Sequence, residues 1–374
     1  MEFLLVGFMS ITIKQVVMWA IGGLLIYLAI AKGFEPTLLL PMGFGAILVN
    51  IPMSGAIDQV LNGTHIEGIL DFLFRGGIST EMFPLLLFIG IGAMIDFGPL
   101  LSNPSMLLFG AAAQFGIFFT ICIATLLGFD LKDAASIGII GAADGPTSIF
   151  VANYFHSSLI APITVAAYSY MSLVPVIQPP CIKLVTTKKE RMIRMPYTPE
   201  SISKTTKILF PIVVTVIAGL IAPTSVALVG FLMFGNLVRE CGVLERLSKT
   251  AQNELVNIIT LLLGITIAAS MKADTFVNLR TAMVVGLGLV AFIFDTIGGV
   301  LFAKLLNLFL KKKINPMVGA AGISAFPMSA RVIQKMASAE DKQNFILMHA
   351  VGANVAGQIA SVIAGGLILN LIKF

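Results

Sequence analysis

Hydrophobic residues run along this chain in blocks long enough to cross a bilayer, and charged residues fall mostly between the blocks. Uncharged stretches cover 36–57, 105–127, 145–182, 208–238, 255–271 and 345–372. Most reach the roughly 20 apolar residues that a helix needs to span a hydrocarbon core, and several have room for two helices. A helix satisfies its own backbone N–H and C=O groups where no water reaches, and the short alternating segments of an outer-membrane barrel are absent. The pattern predicts an all-α polytopic membrane protein.

The order of elements then repeats. GLLIYLAIAKGFEPTLLLPMGF from Gly23 and VIAGLIAPTSVALVGF from Val216 each give an apolar helix, a Pro-Thr pair (Pro36 and Thr37, Pro223 and Thr224) and a Gly-containing helix. GIGAMIDFGPLL from Gly90 parallels GITIAASMKADTFV from Gly264, and GAADGPTSIF from Gly141 parallels GAAGISAFPMSAR from Gly319. The expected division is a first membrane repeat over 14–182, a basic linker over 183–207 and a second membrane repeat over 208–374. The fourth element of each half is rich in Gly, Ala and Ser and holds a Pro that interrupts a helix. If that element enters and leaves on one side, each half makes five crossings, and the odd number turns the second half over. Two inverted repeats whose broken or re-entrant helices meet at the midplane are the plan on which secondary transporters build their sites. Continuous helices packed closely through small residues are the competing reading.

Composition agrees with a membrane location. Hydrophobic residues make up 57% of the 374, charged residues 11%, and mean hydropathy is +0.97, against roughly 25% charged residues in a soluble domain. The net charge of +5 lies in loops, as topology alone requires, and suggests no nucleic-acid partner. Seven of the 24 basic residues fall between Lys183 and Lys207, which puts that linker in the cytoplasm by the positive-inside rule. The N-terminal stretch has no basic n-region or small-residue cleavage site and is expected to be retained. Cys122, Cys181 and Cys241 are isolated and odd in number, and point to buried structural roles.

Between Ala134 and Pro180 the one charged side chain is Asp144, in GAADGPT. An acid inside a membrane segment marks a functional site by default. Gly145 and Pro146 interrupt the helix beside it and free carbonyl oxygens, the hard-oxygen surroundings a dehydrated sodium ion needs, and Thr147 and Ser148 offer hydroxyls. Asp144 also suits the cap of the helix that restarts after it, and the two roles are compatible. Tyr168 and Tyr170 point to different faces of the next helix, and either suits a pocket or an interfacial belt. In the second half Asn315, Ser324 and Ser329 cluster in or beside the broken element and Arg331 ends it. Asn354 and Gln358 share one face of the last helix, where amides glue helices together or bind ions. Arg331 suits an interfacial anchor or, through its planar guanidinium, the bidentate grip of a carboxylate. Asp295 sits mid-helix as a candidate second ion ligand.

At IGAMIDFGPLLSNP, GAADGPTSIFVANYF, YSYMSLVPVIQPP, NPMVGAAGISAFPMSARV and HAVGANVAGQIASVIAGG the chain resembles the β subunit of the biotin-dependent, sodium-pumping decarboxylases. Those systems act on oxaloacetate, methylmalonyl-CoA, glutaconyl-CoA or malonate, and the resemblance spans essentially the whole chain. It implies a bacterial inner-membrane subunit that decarboxylates carboxybiotin, presented by a separate subunit, and exports Na+ with proton uptake. Implied partners are a carboxyltransferase α subunit, a biotin carrier subunit and a small membrane subunit. The family's acid falls on Asp144 and its tyrosine on Tyr170, and its second-half polar residues on Asn315, Ser324, Arg331 and Asn354. From these we expect catalysis by Asp144, Tyr170 and Arg331, carboxybiotin at Arg331 and Ser324, and Na+ on Asp144, Thr147, Asn315, Ser324 and Asn354. The chain is shorter than many oxaloacetate-type β subunits, which favours a CoA-ester system. From the pattern alone, a sodium-coupled carboxylate symporter fits equally well.

Overall fold

A computed structural model of the chain describes residues 7–33, 36–61, 63–197 and 202–372; residues 198–201 of the basic linker lie outside them. Among the described residues six helices are long and apolar enough to cross a membrane: Ile13–Lys32, Pro104–Leu126, Lys204–Ile221, Glu245–Ser270, Leu279–Phe309 and Leu347–Leu371. A seventh span forms if Ile69–Ser79 and Met82–Met94, bent by 58° at their junction, are taken together. Ile160–Val185 adds another helix of 26 residues, and a short β-hairpin pairs Gln59–Leu61 with Thr64–Ile66. The protein is a multi-pass all-α membrane protein.

Local chemistry fixes where these helices begin and end. Thr12 and Gln15 form a capping box at the start of Ile13–Lys32, and Gly33 closes that helix in the left-handed region at φ 66°. Asn278 caps the 31-residue helix Leu279–Phe309 through Thr281 N–H at 2.8 Å. Burial then sorts periphery from centre. Only 17% of Ile13–Lys32 and 11% of Lys204–Ile221 is buried, against 78% of Leu347–Leu371, so the first two present apolar faces outward and the last is the central post.

Each half holds one broken element. In the first, Leu131–Gly138 runs into a 3-10 turn, Ile139–Ala142, and the chain restarts as Gly145–Tyr154. In the second, Met317–Ala320 gives way to non-helical backbone over 321–327 before Met328–Glu340. Both are hairpins closed at their bases. Ser157 Oγ donates to Asp133 Oδ1 at 2.6 Å, beside the start of Ile160–Val185. Arg191, just past the other end of that helix, pairs with Glu340 at 2.7 Å, and Arg191 O accepts from Asn315 Nδ2 at 2.8 Å. The two hairpins are therefore rooted at opposite ends of one helix. Continuous packed helices are ruled out by the non-helical turns, and the broken element follows four membrane segments rather than three. The expectation of a fourth element left the uncharged run 105–127 out of its count, together with the helix Leu279–Phe309 of the second half; these two spans precede the broken elements.

Packing between halves comes in exchanged pairs. Pro36–Val49 lies on Val256–Ile267 and Val226–Glu240 on Met82–Met94; Ile160–Val185 lies on Leu279–Phe309 and Leu347–Leu371 on Leu107–Ala112. Glycines set how closely these pairs approach, since a methyl at Gly92 would strike the Leu232 carbonyl and one at Gly235 the Ile89 carbonyl. Of the cysteines, Cys181 is buried as expected but Cys122 lies on an exposed helix face, where an apolar environment outside the protein replaces burial within it. At the linker, Arg194 beside Asp341 holds that carboxyl below the usual carboxylate range, so its contribution to stability is present at neutral pH and lost on acidification.

Replacing Gly92 with Val puts a branched side chain against backbone that cannot move aside. We expect a stability loss of at least the roughly 1–3 kcal/mol of ordinary overpacking, read as a lower unfolding temperature in detergent. An unchanged temperature would mean that this helix pair is looser than described.

Candidate functional site

The tips of the two hairpins meet, and Asp144 lies at the junction. Ser324 N–H donates to the Ala142 carbonyl at 2.9 Å, joining the tips through backbone. The first tip turns at Ala143, which has φ 51° and ψ 44°. A non-glycine residue seldom adopts this left-handed conformation outside functional or tightly constrained turns. Asp144 follows in extended conformation as the N-cap of Gly145–Tyr154, with Pro146 in the first turn and its carboxylate accepting from Thr147 N–H at 3.3 Å.

Three hydroxyls converge on one carboxylate oxygen. Asp144 Oδ2 accepts from Thr147 Oγ1 at 2.7 Å, Ser361 Oγ at 2.8 Å and Ser324 Oγ at 3.2 Å, and Ser361 Oγ lies 3.0 Å from Ser324 Oγ. All four residues are buried. Around them are oxygens with no partner among the described residues: Tyr168 Oη, Gln358 Oε1 and, one turn earlier on the same helix, Asn354 Oδ1. A hydroxyl carries one proton and two lone pairs, so each of the three can turn from donating to the carboxylate to offering oxygen to a cation. The arrangement can hold either a proton or a hard cation beside Asp144.

A cavity of about 270 Å³ reaches this carboxylate, and its lining includes Asp144, Tyr168, Ser324, Gln358 and Arg331. Arg331 is exposed while Asp144 is 4% exposed, so the cavity leads from a surface guanidinium to a buried acid. No ion pair to Arg331 occurs among the described residues.

Of the residues singled out from sequence, Asp144, Thr147, Ser324 and Arg331 come together here. Tyr170 does not: its hydroxyl donates to the Val285 carbonyl at 2.5 Å on Leu279–Phe309. Tyr168 takes the place at the cavity, with its ring against the Cα of Gly145. Asn315 is at the hairpin base, where Nδ2 donates to the Arg191 and Ile193 carbonyls and Oδ1 accepts from Met317 N–H at 3.1 Å. Asn354 pins the second tip by donating to the Ala321 and Ile323 carbonyls at 3.1 and 2.6 Å, and Gln358 donates to the Ser324 carbonyl. Ser361 was not singled out. It lies seven residues past Asn354 and three past Gln358, on the same helical face, and that spacing was the available signal.

Two broken helices meeting at a buried acid, inside a multi-pass bundle, define a membrane protein with a polar, acidic site at its core. The chain belongs to the family of the Na+-transporting oxaloacetate decarboxylase β subunit, whose model matches residues 14–372. It is 48% identical to the methylmalonyl-CoA decarboxylase β subunit of Propionigenium modestum, covering 98% of this chain and 96% of that protein. It is 49% identical to the glutaconyl-CoA decarboxylase β subunit of Acidaminococcus fermentans (98% and 95%) and 45% identical to the oxaloacetate decarboxylase β chain of Haemophilus ducreyi (98% and 97%). It is accordingly the membrane subunit of a decarboxylase sodium pump in the bacterial inner membrane, part of a multisubunit complex. This membership does not favour a sodium-coupled carboxylate symporter.

The geometry separates the two tyrosines by experiment. Tyr168→Phe removes a hydroxyl facing Asp144 and is expected to change the sodium concentration that half-activates turnover. Tyr170→Phe removes a helix-to-helix hydrogen bond worth about 1 kcal/mol and is expected to lower thermal stability with little change in sodium activation. The reverse pattern in sodium titrations of the two variants would assign the site to Tyr170.

Proposed function

We propose that this chain decarboxylates carboxybiotin delivered by a separate biotin carrier subunit and exchanges a proton for sodium at Asp144. The single observation behind this reading is the carboxylate oxygen that gathers three hydroxyls where two broken helices meet. Carboxybiotin breaks its C–N bond, carbon dioxide leaves, and a proton must reach the ureido nitrogen. Arg331 at the outer part of the cavity grips the incoming carboxylate, with Ser324 deeper in the same cavity. Asp144 gives up its proton towards that nitrogen as sodium takes its place. Thr147, Ser324 and Ser361 supply hydroxyl oxygens to the ion, and the free oxygens of Asn354 and Gln358 are close at hand on the central helix. Asn315 has its polar atoms engaged at the hairpin base, so its contribution is to hold the second hairpin. A place for Tyr170 on the proton route rests on the family resemblance, and the cavity itself offers Tyr168.

The hairpins rooted at opposite ends of Ile160–Val185 support two inverted halves, 14–182 and 208–374, joined by a cytoplasmic linker over 183–207. A CoA-ester substrate for the whole complex is supported by alignment length. The glutaconyl-CoA relative aligns over 366 positions, whereas the oxaloacetate relative needs 422 and so carries insertions that this chain lacks. The partners we propose are a carboxyltransferase α subunit, the biotin carrier and a small membrane subunit.

Asp144→Asn keeps the size of the side chain but cannot balance a cation. We expect it to insert and assemble normally and to lose sodium-dependent decarboxylation of free carboxybiotin; activity that still responds to sodium would remove Asp144 from the mechanism. Ser361→Ala removes one of the hydroxyl oxygens offered to sodium and is expected to raise the half-activating sodium concentration about tenfold or more, on the order of 1.4 kcal/mol. Because proton and sodium compete for one carboxylate, acidification should raise that concentration in the wild type, by at most about tenfold per pH unit. Sodium titrations across pH would expose the absence of such competition.

A further inference from the structure

A second acid is enclosed in the membrane part of the protein, away from the cavity. Asp295 lies midway along Leu279–Phe309 with 0% of its surface exposed. Its Oδ1 accepts from Ile117 N–H at 3.1 Å. That N–H is one of the first donors of Phe115–Leu126, the helix that restarts after the chain turns at Ala113 and Gln114. Capping that restart explains Oδ1. It leaves Oδ2, which has no partner among the described residues.

Two glycines make room for this carboxyl. A methyl at Gly116 would stand 2.7 Å from Oδ1, and a methyl at Gly141 would stand 2.5 Å from Oδ2. Gly141 belongs to the 3-10 turn Ile139–Ala142 of the first hairpin, three residues before Asp144. The free oxygen therefore presses on the segment that carries the other acid. Phe115–Leu126, the 3-10 turn, Met317–Ala320, Ile160–Val185, Leu107–Ala112 and Leu131–Gly138 all pack on this helix, and Lys132 and Asp133 of the last stand in its first turn at the hairpin base, where Asp133 accepts from Ser157 Oγ. Their titratable groups are occupied elsewhere: Cys122 is exposed, Tyr168 lines the cavity, Tyr170 is bonded to Val285 O, Cys181 stands nearer the linker, and Lys183 follows it. On Leu279–Phe309 itself, Lys304 pairs with Glu190 at the linker, and Arg280 lies over the Phe129 ring at the opposite end.

We propose that Asp295 is a second protonation site of this chain, carrying a proton on Oδ2 while the turn Ile139–Ala142 lies against it. A neutral acid keeps Oδ1 free to accept the Ile117 N–H and adds no charge to a dry, unpaired position. Loss of the proton would set a bare charge against Gly141, and relieving it requires the turn to move or water to enter. Proton occupancy at Asp295 and the position of the tip bearing Asp144 are thus linked, and the linkage runs in both directions.

Infrared spectroscopy of the intact protein in lipid at neutral pH tests this directly, because a protonated carboxylic acid has a carbonyl stretch that a carboxylate lacks. Spectra are taken in an Asp144→Asn background, so that Asp144 cannot contribute and the outcome does not depend on the sodium site. We expect one protonated-acid band that disappears when Asp295→Asn is added. A band that survives, or no such band in the background variant, overturns the proposal. Gly141→Ala keeps the acid and crowds only Oδ2, which also guards against a poorly folded Asp295→Asn. Its expected effect is a shift of the same band, and an unshifted band would break the link to the hairpin.

Discussion

Backbone that leaves the helix inside a bilayer has no water to bond to, and the architecture at the centre of this protein answers that constraint. The turns at 143–144 and 321–327 would strand several carbonyls. Asn354 takes those of Ala321 and Ile323, Gln358 takes that of Ser324, and Gln178 takes that of Ala320 at 2.8 Å. Each is a carboxamide, which donates without bringing charge into the membrane. The central helix Leu347–Leu371 and the helix Ile160–Val185 therefore act as splints for the second hairpin, and this explains why amides recur in helices that are otherwise apolar.

Once the tips are splinted, the chemistry of the site follows at small cost. Asp144 both starts a helix and collects hydroxyls, so capping and the gathering of polar groups coincide in one side chain. Small residues allow this closeness: Gly319 and Gly299 face one another so closely that a methyl on either would meet the other's carbonyl. The same economy of space places the Tyr168 ring directly on Gly145. Polar function, backbone satisfaction and close packing are met by the same few positions, and substitutions there will rarely affect only one of them.

Much of this was legible in the sequence, for identifiable reasons. Long uncharged runs gave the membrane spans, because the bilayer allows little else. Gly, Ser and Pro clustered around one buried acid gave the broken elements and Asp144. What escaped notice depended on three-dimensional register. Tyr168 and Tyr170 differ by two positions, and only the packing of their helix on Gly145 and on Val285 decides which faces the cavity. Asn315 and Ser324 look alike as polar residues of one broken segment, yet one is at the base and the other at the tip. Ser361 sits among alanines and glycines, and its place beside Asp144 emerges only with Asn354 and Gln358 on the same face. The order of the broken element was misjudged because the span before it, Pro104–Leu126, carries no charge and was not matched between the halves.

The basic linker has a mechanical meaning beyond topology. It continues the helix Ile160–Val185 of the first half, yet its Arg191 and Ile193 carbonyls accept from Asn315 and Asn344, and its Arg191 and Arg194 pair with Glu340 and Asp341. Both legs of the second hairpin are thus lashed to the end of the first half, while its tip is bonded to Ala142. By attachment, that hairpin is held by both halves, for its tip is also bonded to Asn354 and Gln358 of the central helix. It is the clasp of the molecule: the linker cannot be drawn away from the central helix without breaking this hairpin's bonds at its base or at its tip.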